Sequence, residues 1–289
     1  MARAADRIVE PLEPDRYNAT RHVTSHTLES GVTTPRSSQP SFSLSIVLPV
    51  HNEEAILEQN VVALERHLDA LDQLDEFEIL LVCNGCRDGS ERISARLAER
   101  MQGHVRALCL EARGLGHAIG AGISAASYDF IMFYAVDLPF GLDVFDHSIA
   151  AARQNRNRVV IGSKGHRESH VPRHPLRWLF SRVASTLNHV VFALDVKDTQ
   201  GSLLFPKVIF TRYHAAMDSP GAFFQAQIVI YGHQMGCELL EIPVRLHPSG
   251  EQRRTRFKLM RDGLGYIAAI VREKYKLLTA AAPEGTGRS

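Results

Sequence analysis

The chain's apolar residues fall in short blocks, and each block ends in a polar tip. Leu44-Ser45-Ile46-Val47-Leu48-Pro49-Val50 runs into His51-Asn52-Glu53-Glu54. Phe77-Glu78-Ile79-Leu80-Leu81-Val82 runs into Cys83-Asn84-Gly85-Cys86-Arg87-Asp88-Gly89-Ser90, and Phe130-Ile131-Met132-Phe133-Tyr134 into Ala135-Val136-Asp137. Short apolar runs bounded by turn residues predict buried strands. Between them, Ile56, Val61, Leu64, Leu68 and Leu71 recur at helical spacing over 53–74, and Ile93, Leu97 and Met101 over 91–101. The pattern continues as a strand at 105–110, a helix at 118–126, a strand at 129–134, a helix at 142–154 and a strand at 158–162. Such alternation predicts an α/β fold with a mostly parallel central sheet and helices on both faces. Ligands of such sheets bind outside the carboxyl ends of the strands, so the three tips sketch one site.

After Gly165 the alternation loosens. Pro175–Phe192 reads as a long amphipathic helix, Ser202–Phe205 as a strand, Phe223–Met235 as a helix, Leu239–Leu246 as a strand and Phe257–Leu278 as a final helix. Residues 1–41 read as a disordered tail; Val32–Pro40 has a linker's composition, and a short helix over Arg16–Leu28 has no partner in the pattern. Residues 42–278 read as one domain and 279–289 as a frayed end.

Composition narrows the classes. The 289 residues are 45% hydrophobic and 22% charged with a net charge of +1, so no global field draws the chain to nucleic acid. No apolar run approaches the ~18 residues of a membrane span, and the N-terminus lacks a signal core. The expected location is cytoplasmic, with peripheral contact at the inner face of a membrane left open. Cys83 and Cys86 form a C-x-x-C, but neither a second one nor a paired-histidine motif completes a zinc cage, which leaves two reduced thiols in a turn.

Several blocks together resemble family 2 glycosyltransferases. Val47–Glu54 is similar to that family's opening V-I-P-x-Y-N-E, Asn84–Ser90 to its D-G-S-x-D-G-T loop, and Gly114–Gly122 to its N-x-G-x-x-x-A-x-x-x-G segment. Asp198-Thr199-Gln200-Gly201 and Glu241-Ile242-Pro243-Val244 resemble the D-x-Q-x-G and E-V-P-V segments of the dolichyl-phosphate mannose synthase branch. The resemblance covers about residues 43–275 in the right order and implies the nucleotide-sugar-binding GT-A fold for 42–278. It implies a donor (GDP- or UDP-linked) held by Pro49, His51, Asn52, Glu53, Asn84, Gly116 and Asp137. It also implies Mg²⁺ or Mn²⁺ on the diphosphate with Asp137 as ligand, since hard cations take oxygen ligands.

The chain departs from that pattern. The family's D-x-D is Ala135-Val136-Asp137, the second-loop Asp is Asn84, and the acidic pair of the Phe223 helix is Gln225 and Gln227. Magnesium often binds through one or two carboxylates plus substrate phosphates, so a single Asp fits a metal carried by the donor. A repurposed, non-catalytic binding module is the counter-reading.

From Arg153 to Arg182 there are seven Arg and one Lys against a single acid, Glu168. Most of this is a solvated face. Lys164 follows a strand at its carboxyl edge, and Arg177 and Ser181 share a helix face. The resemblance implies an acceptor-phosphate role for these three and, in the basic run Arg253–Lys258, for Arg254 and Arg256. A sugar hydroxyl needs a general base to become a nucleophile, whereas a lipid phosphate is already an anion and needs cationic positioning. Gln225 and Gln227 cannot act as bases; Lys164 and Arg177 can hold a phosphate. The expected reaction is therefore inverting transfer to a polyprenyl phosphate, with Asp137, Lys164 and Arg177 as the catalytic set. The rival is a dinucleotide oxidoreductase, sketched by Gly114-x-Gly116-x-x-x-Gly120 after a strand. Two strands and a long helix precede it, and its helix is short for a crossover.

Overall fold

The computed structural model describes residues 41–171, 175–246 and 259–280, with the side chains of 175–178, 259–262, 264 and 280 outside the description. The tail residues 1–40, the helix expected at 16–28, and residues 281–289 therefore lie outside the described residues.

Among the described residues seven strands form one sheet: β1 (Ser43–Val50), β2 (Glu76–Asn84), β3 (Val105–Leu110), β4 (Phe130–Phe133), β5 (Arg158–Ser163), β6 (Ser202–Pro206) and β7 (Glu238–Pro243). Their order is β3-β2-β1-β4-β6-β5-β7. The helices are α1 (Leu57–Asp69), α2 (Ser90–Arg100), α3 (Leu115–Ala125), α4 (Asp143–Gln154), α5 (Pro175–Phe192), α6 (Val208–Tyr213), α7 (Phe223–Gln234) and α8 (Leu259–Ala280). The first helix starts later than its apolar spacing suggests because 53–56 form a turn tied to the β2–α2 loop.

The period-2 alternation of the strands divides the core. Leu44, Ile46, Leu48 and Val50 face one apolar cluster with Leu57 and Leu64 of α1 and Phe145 and Ile149 of α4. Val47, Leu80, Val82, Ile131 and Phe133 face the other, with Ile119 and Ile123 of α3, Ile228 and Val229 of α7 and Ile270 of α8. Each fully buried Leu or Ile of these layers contributes about 1.5–3 kcal/mol.

Within this mostly parallel sheet one strand is reversed. β6 runs antiparallel to both neighbours, pairing Met132↔Leu204 with β4 and Ile161↔Leu203 with β5. Its start therefore lies at the rim where β4 and β5 end. This reversal brings the 195–201 loop to the carboxyl edge beside the tips of β4 and β5.

At the opposite rim, Glu78 is buried in β2 and accepts hydrogen bonds from Ser45 Oγ at 2.7 Å, Arg106 at 2.8 Å and the Ser127 backbone N–H. Burial alone would raise its pKa; the Ser127, Ser45 and Arg106 donors outweigh it and hold the carboxyl below its ordinary value. Because the folded pKa is depressed, this stabilisation is full above the unfolded value (about 4.3) and is lost as pH falls through the lower folded value. Replacing Glu78 by alanine leaves buried donors unpaired and is expected to cost about 2–3 kcal/mol at pH 7. In thermal melts the gap between wild type and Glu78→Ala narrows from pH 7 to pH 3; a gap independent of pH contradicts this account.

Candidate active site

The tips of β1 and β2 are fastened to each other. Asn52 sits at φ 58°, a left-handed conformation that Asn tolerates, and its Oδ1 accepts the Arg87 backbone N–H at 2.7 Å. Glu53, half-buried, donates its backbone N–H to Ser90 Oγ at 2.8 Å. His51 Nδ1 lies 2.8 Å from the Asn84 backbone oxygen, which only accepts, so Nδ1 carries the proton. Nε2 lies 3.3 Å from Asn52 Nδ2, an amide donor. Both ring nitrogens of His51 are engaged within the turn. Pro49 lies beside Val82 in the β1–β2 register, one residue before the tip.

Asn84 joins three tips. Its Nδ2 donates to the Val50 carbonyl at 2.9 Å and its Oδ1 accepts the Gly114 N–H at 3.3 Å, with the side chain 4% exposed. An aspartate here would set a carboxylate oxygen against the Val50 carbonyl, which accounts for the amide at this position. The neighbouring Cys83 thiol is pushed up to about 12, chiefly by burial, and the described cysteines are free.

Gly116 opens the first turn of α3 against backbone. Its N–H donates to the Pro220 carbonyl at 2.9 Å, and a Cβ would stand 1.9 Å from the Ser219 carbonyl oxygen. The protein's own 219–220 strap thus occupies the helix N-terminus where a dinucleotide's pyrophosphate would sit. β3 is moreover the edge strand, so the glycine run does not build a dinucleotide site.

The β4 tip is a braced turn. Tyr134, 1% exposed, accepts the Phe140 N–H and donates to the Gly141 carbonyl, both at 2.9 Å, and Asn60 Nδ2 donates to the Val136 carbonyl at 2.9 Å. Burial holds the Tyr134 phenol protonated far above ordinary pH. This turn presents Asp137, half-buried, with Ala135 two residues earlier.

Lys164 meets that turn from β5. Its Nζ lies 5.8 Å from the Phe140 ring centroid and makes 2.9 Å contacts with Asp198 Oδ2 and the Gln200 carbonyl. Asp198 also accepts the Lys164 and Gln200 backbone N–H groups, and Glu241 Oε1 accepts those of Lys197 and Asp198 at 2.9 and 3.1 Å. A Cβ on Gly201 would fall 2.0 Å from the Gly162 carbonyl, which is how the loop lies flat on β5. Asp198 and Glu241 thus organise the lysine, a role carried by the motif spacing but invisible in a search for free acids. Ser181 is exposed on α5; Arg177 lies on the same helix with its side chain outside the description, and Arg254 and Arg256 lie outside the described residues. Gln225 and Gln227 are 5% and 0% exposed, and Gln227 is held by Ser219 and Glu273.

The rim thus gathers Asn52, Glu53, Asn84, Gly116, Asp137 and Lys164 at one edge of the sheet. Among the described residues no three His, Cys, Asp or Glu cluster tightly enough to hold a metal ion by themselves. A cation brought on phosphate oxygens needs one carboxylate, and the Asp137 tip suits that.

Comparison with known proteins agrees with this architecture. The model of the family described as "Glycosyl transferase family 2" matches residues 45–218. Glycosyltransferase AglD of Haloferax volcanii is 25% identical over 236 residues, covering 81% of this chain and 37% of the relative. An undecaprenyl-phosphate 4-deoxy-4-formamido-L-arabinose transferase of Photorhabdus laumondii is 32% identical over 123 residues, covering 42% of this chain and 36% of the relative. The chain therefore spans little more than a third of the length of these relatives. Among solved structures, glucosyl-3-phosphoglycerate synthase of Mycobacterium tuberculosis, with Mn²⁺, UDP-glucose and phosphoglyceric acid, superposes with a TM-score of 0.59 at 16% identity, over 81% of this chain and 80% of that one. With the opening strand, the second loop and the D-x-Q-x-G loop each at the rim that their order in the sequence requires, and the family model spanning most of the sheet, this chain belongs to glycosyl transferase family 2.

Proposed function

We propose that the chain transfers a sugar from a nucleotide-sugar donor to a polyprenyl phosphate with inversion at the anomeric carbon. The observation that carries this reading is the character of the rim beside Asp137. Lys164 is fixed at the β5 tip, the acids beside it already accept backbone N–H bonds, and the α7 positions 225 and 227 are buried amides. That arrangement suits an acceptor that arrives as an anion and needs no base. The names of the relatives, which include undecaprenyl-phosphate and dolichyl-phosphate transferases, support the same acceptor class.

In the reaction a phosphate oxygen of the lipid attacks the anomeric carbon from the side opposite the diphosphate. The carbon–oxygen bond to the nucleoside diphosphate breaks, and the electron pair leaves with it; no proton is removed. Lys164, with Arg177 and Ser181 on α5 and Arg254 and Arg256 beyond β7, orients the acceptor phosphate. Pro49, His51, Asn52, Glu53, Asn84 and Gly116 shape the donor cradle. Asp137 would hold the Mg²⁺ or Mn²⁺ that the donor brings, and the cation would offset charge on the leaving group. The donor is a GDP- or UDP-linked sugar.

We place the protein at the cytoplasmic face of a membrane as a peripheral enzyme. No helix among the described residues is long and apolar enough to cross a membrane. Six exposed large apolar side chains lie on α5 and α8: Leu179, Val183 and Val190, and Val271, Tyr275 and Leu278. Their spacing puts each set on one helix face, with Arg272 and Lys274 alongside on α8, the composition of a surface that lies in a lipid interface.

The test is incubation with labelled UDP-glucose, Mn²⁺ and polyprenyl phosphate in anionic vesicles. Label is expected in the lipid, and the protein is expected to float with the vesicles. No glycolipid from UDP- or GDP-sugars contradicts the acceptor assignment; a protein that makes glycolipid yet stays off vesicles contradicts the membrane placement.

A further inference from the structure

We propose that α8 is a brace that positions both halves of the site, through Glu273 on the donor side and Tyr266 on the acceptor side. This inference rests on the glycosyl-transfer reading. The two residues stand seven apart and so share a helix face. Both lie behind the rim side chains: Glu273 in the core and Tyr266 beneath the 195–201 loop.

Glu273 is 0% exposed. Its carboxylate accepts Gln227 Nε2 at 2.8 Å and Tyr231 OH at 2.6 Å, both from α7, with Lys276 Nζ 3.5 Å away. Gln227 Oε1 in turn accepts the Ser219 N–H at 3.1 Å. Lys276 Nζ donates to the Ala216 carbonyl at 3.2 Å and pairs with Asp218, just upstream on the same strap. The strap that these bonds hold is the one whose Pro220 carbonyl receives the Gly116 N–H. A line of hydrogen bonds, joined through the Ser219–Pro220 backbone, therefore runs from Glu273 to the head of α3. It also gives Gln227 a reason to be an amide: a second carboxylate there would face the first with no donor between them.

Tyr266 reaches the other half. Its hydroxyl lies 2.8 Å from Thr199 Oγ1 and accepts Asn188 Nδ2 at 3.1 Å, and the same amide nitrogen lies 3.3 Å from Thr199 Oγ1. Thr199 is the residue between Asp198, which holds Lys164, and Gln200. Asn188 belongs to α5, the helix that carries Arg177 and Ser181. The Tyr266 ring also packs edge-on to Phe223 at the start of α7, 5.2 Å between centroids. One helix therefore fixes the spacing between the acceptor cations and the donor cradle.

Buried polar groups joined this way transmit displacement, and breaking a link leaves an unmatched group in the core. Glu273→Gln removes the negative charge that faces Lys276 and leaves one amide oxygen for two donors, so the Tyr231 hydroxyl must turn from donor to acceptor. Tyr266→Phe removes the hydroxyl that joins Thr199 to Asn188. A global loss of stability would weaken both ligands equally, whereas positioning predicts a split.

The experiment is calorimetric titration of wild type, Glu273→Gln, Tyr266→Phe and the exchange Gln227→Glu/Glu273→Gln with UDP-glucose plus Mn²⁺ and, separately, with farnesyl phosphate. Glu273→Gln is expected to weaken UDP-glucose roughly tenfold and farnesyl phosphate by less than about twofold. Tyr266→Phe is expected to do the reverse. The exchange, which restores one carboxylate facing one amide, is expected to recover donor affinity to within about threefold of wild type. Singles that bind both ligands like wild type, or lose both in parallel while the exchange recovers neither, overturn the brace. A wild type that binds neither ligand overturns the transfer reading itself, and that outcome is distinct from wild-type binding with unaffected variants.

Discussion

Replacing Asp137 by alanine is expected to lower kcat/KM for sugar transfer by roughly 100-fold or more. The size of this effect follows from Ala135. Where two acidic side chains share the diphosphate's cation, loss of one leaves the other; here the β4 tip offers a single carboxylate. The turn around it is held by Tyr134 and Asn60 through backbone atoms, so the substitution leaves the turn in place. The loss should therefore appear in the rate and in the cation dependence of transfer. Initial rates over a Mn²⁺ series check this, and an Asp137→Ala protein that transfers sugar like wild type contradicts the assigned role.

The second large effect is steric. Gly116→Ala places a Cβ 1.9 Å from the Ser219 carbonyl oxygen and 3.0 Å from the Pro220 carbonyl carbon. Both are backbone atoms, and the strap carrying them is bolted to α7 and α8, so neither moves cheaply. Overpacking of this kind costs about 1–3 kcal/mol, equal to a fall of several degrees in Tm for a domain of this size, at roughly 2–4 °C per kcal/mol. Displacement of the strap or of the α3 head should also abolish measurable UDP-glucose binding. Gly120→Ala is the control. Its added Cβ meets the Phe224 ring at 3.5 Å, ordinary contact, inside a helix where alanine is favoured. Differential scanning calorimetry on both variants separates clash from the general effect of filling a glycine in α3; equal melting temperatures contradict the close approach.

The sheet was legible because its strands are written as short apolar runs with polar ends, and the alternation of Leu44, Ile46 and Leu48 against Val47 records which face each side chain covers. The direction of β6 was not legible. An apolar run such as Ser202–Pro206 reads the same in either direction, and its orientation is set by where the preceding loop must deliver Asp198. The rim residues were legible as motif positions, but their partners were not. Asn84 was readable as a polar tip, yet its two hydrogen bonds to Val50 and Gly114 depend on contacts across distant stretches of chain. Lys164 was readable as a cation at a strand end; that Asp198 and Gln200 hold it required the loop to be placed. Glu273 left a faint trace: it is an acid on the apolar stripe with Tyr266, Ile270 and Leu277, where a charge signals a buried partner.

In the proposed reaction the acceptor is already an anion, and sugar transfer needs no base. This is tested most directly by offering polyprenyl phosphate and the corresponding polyprenol, in identical vesicles, with the same labelled UDP-glucose and Mn²⁺. A labelled glycosyl phospholipid is expected from the phosphate and no labelled product from the alcohol. Glycosylation of the alcohol at a comparable rate would mean that a base does operate at this rim and would contradict the account.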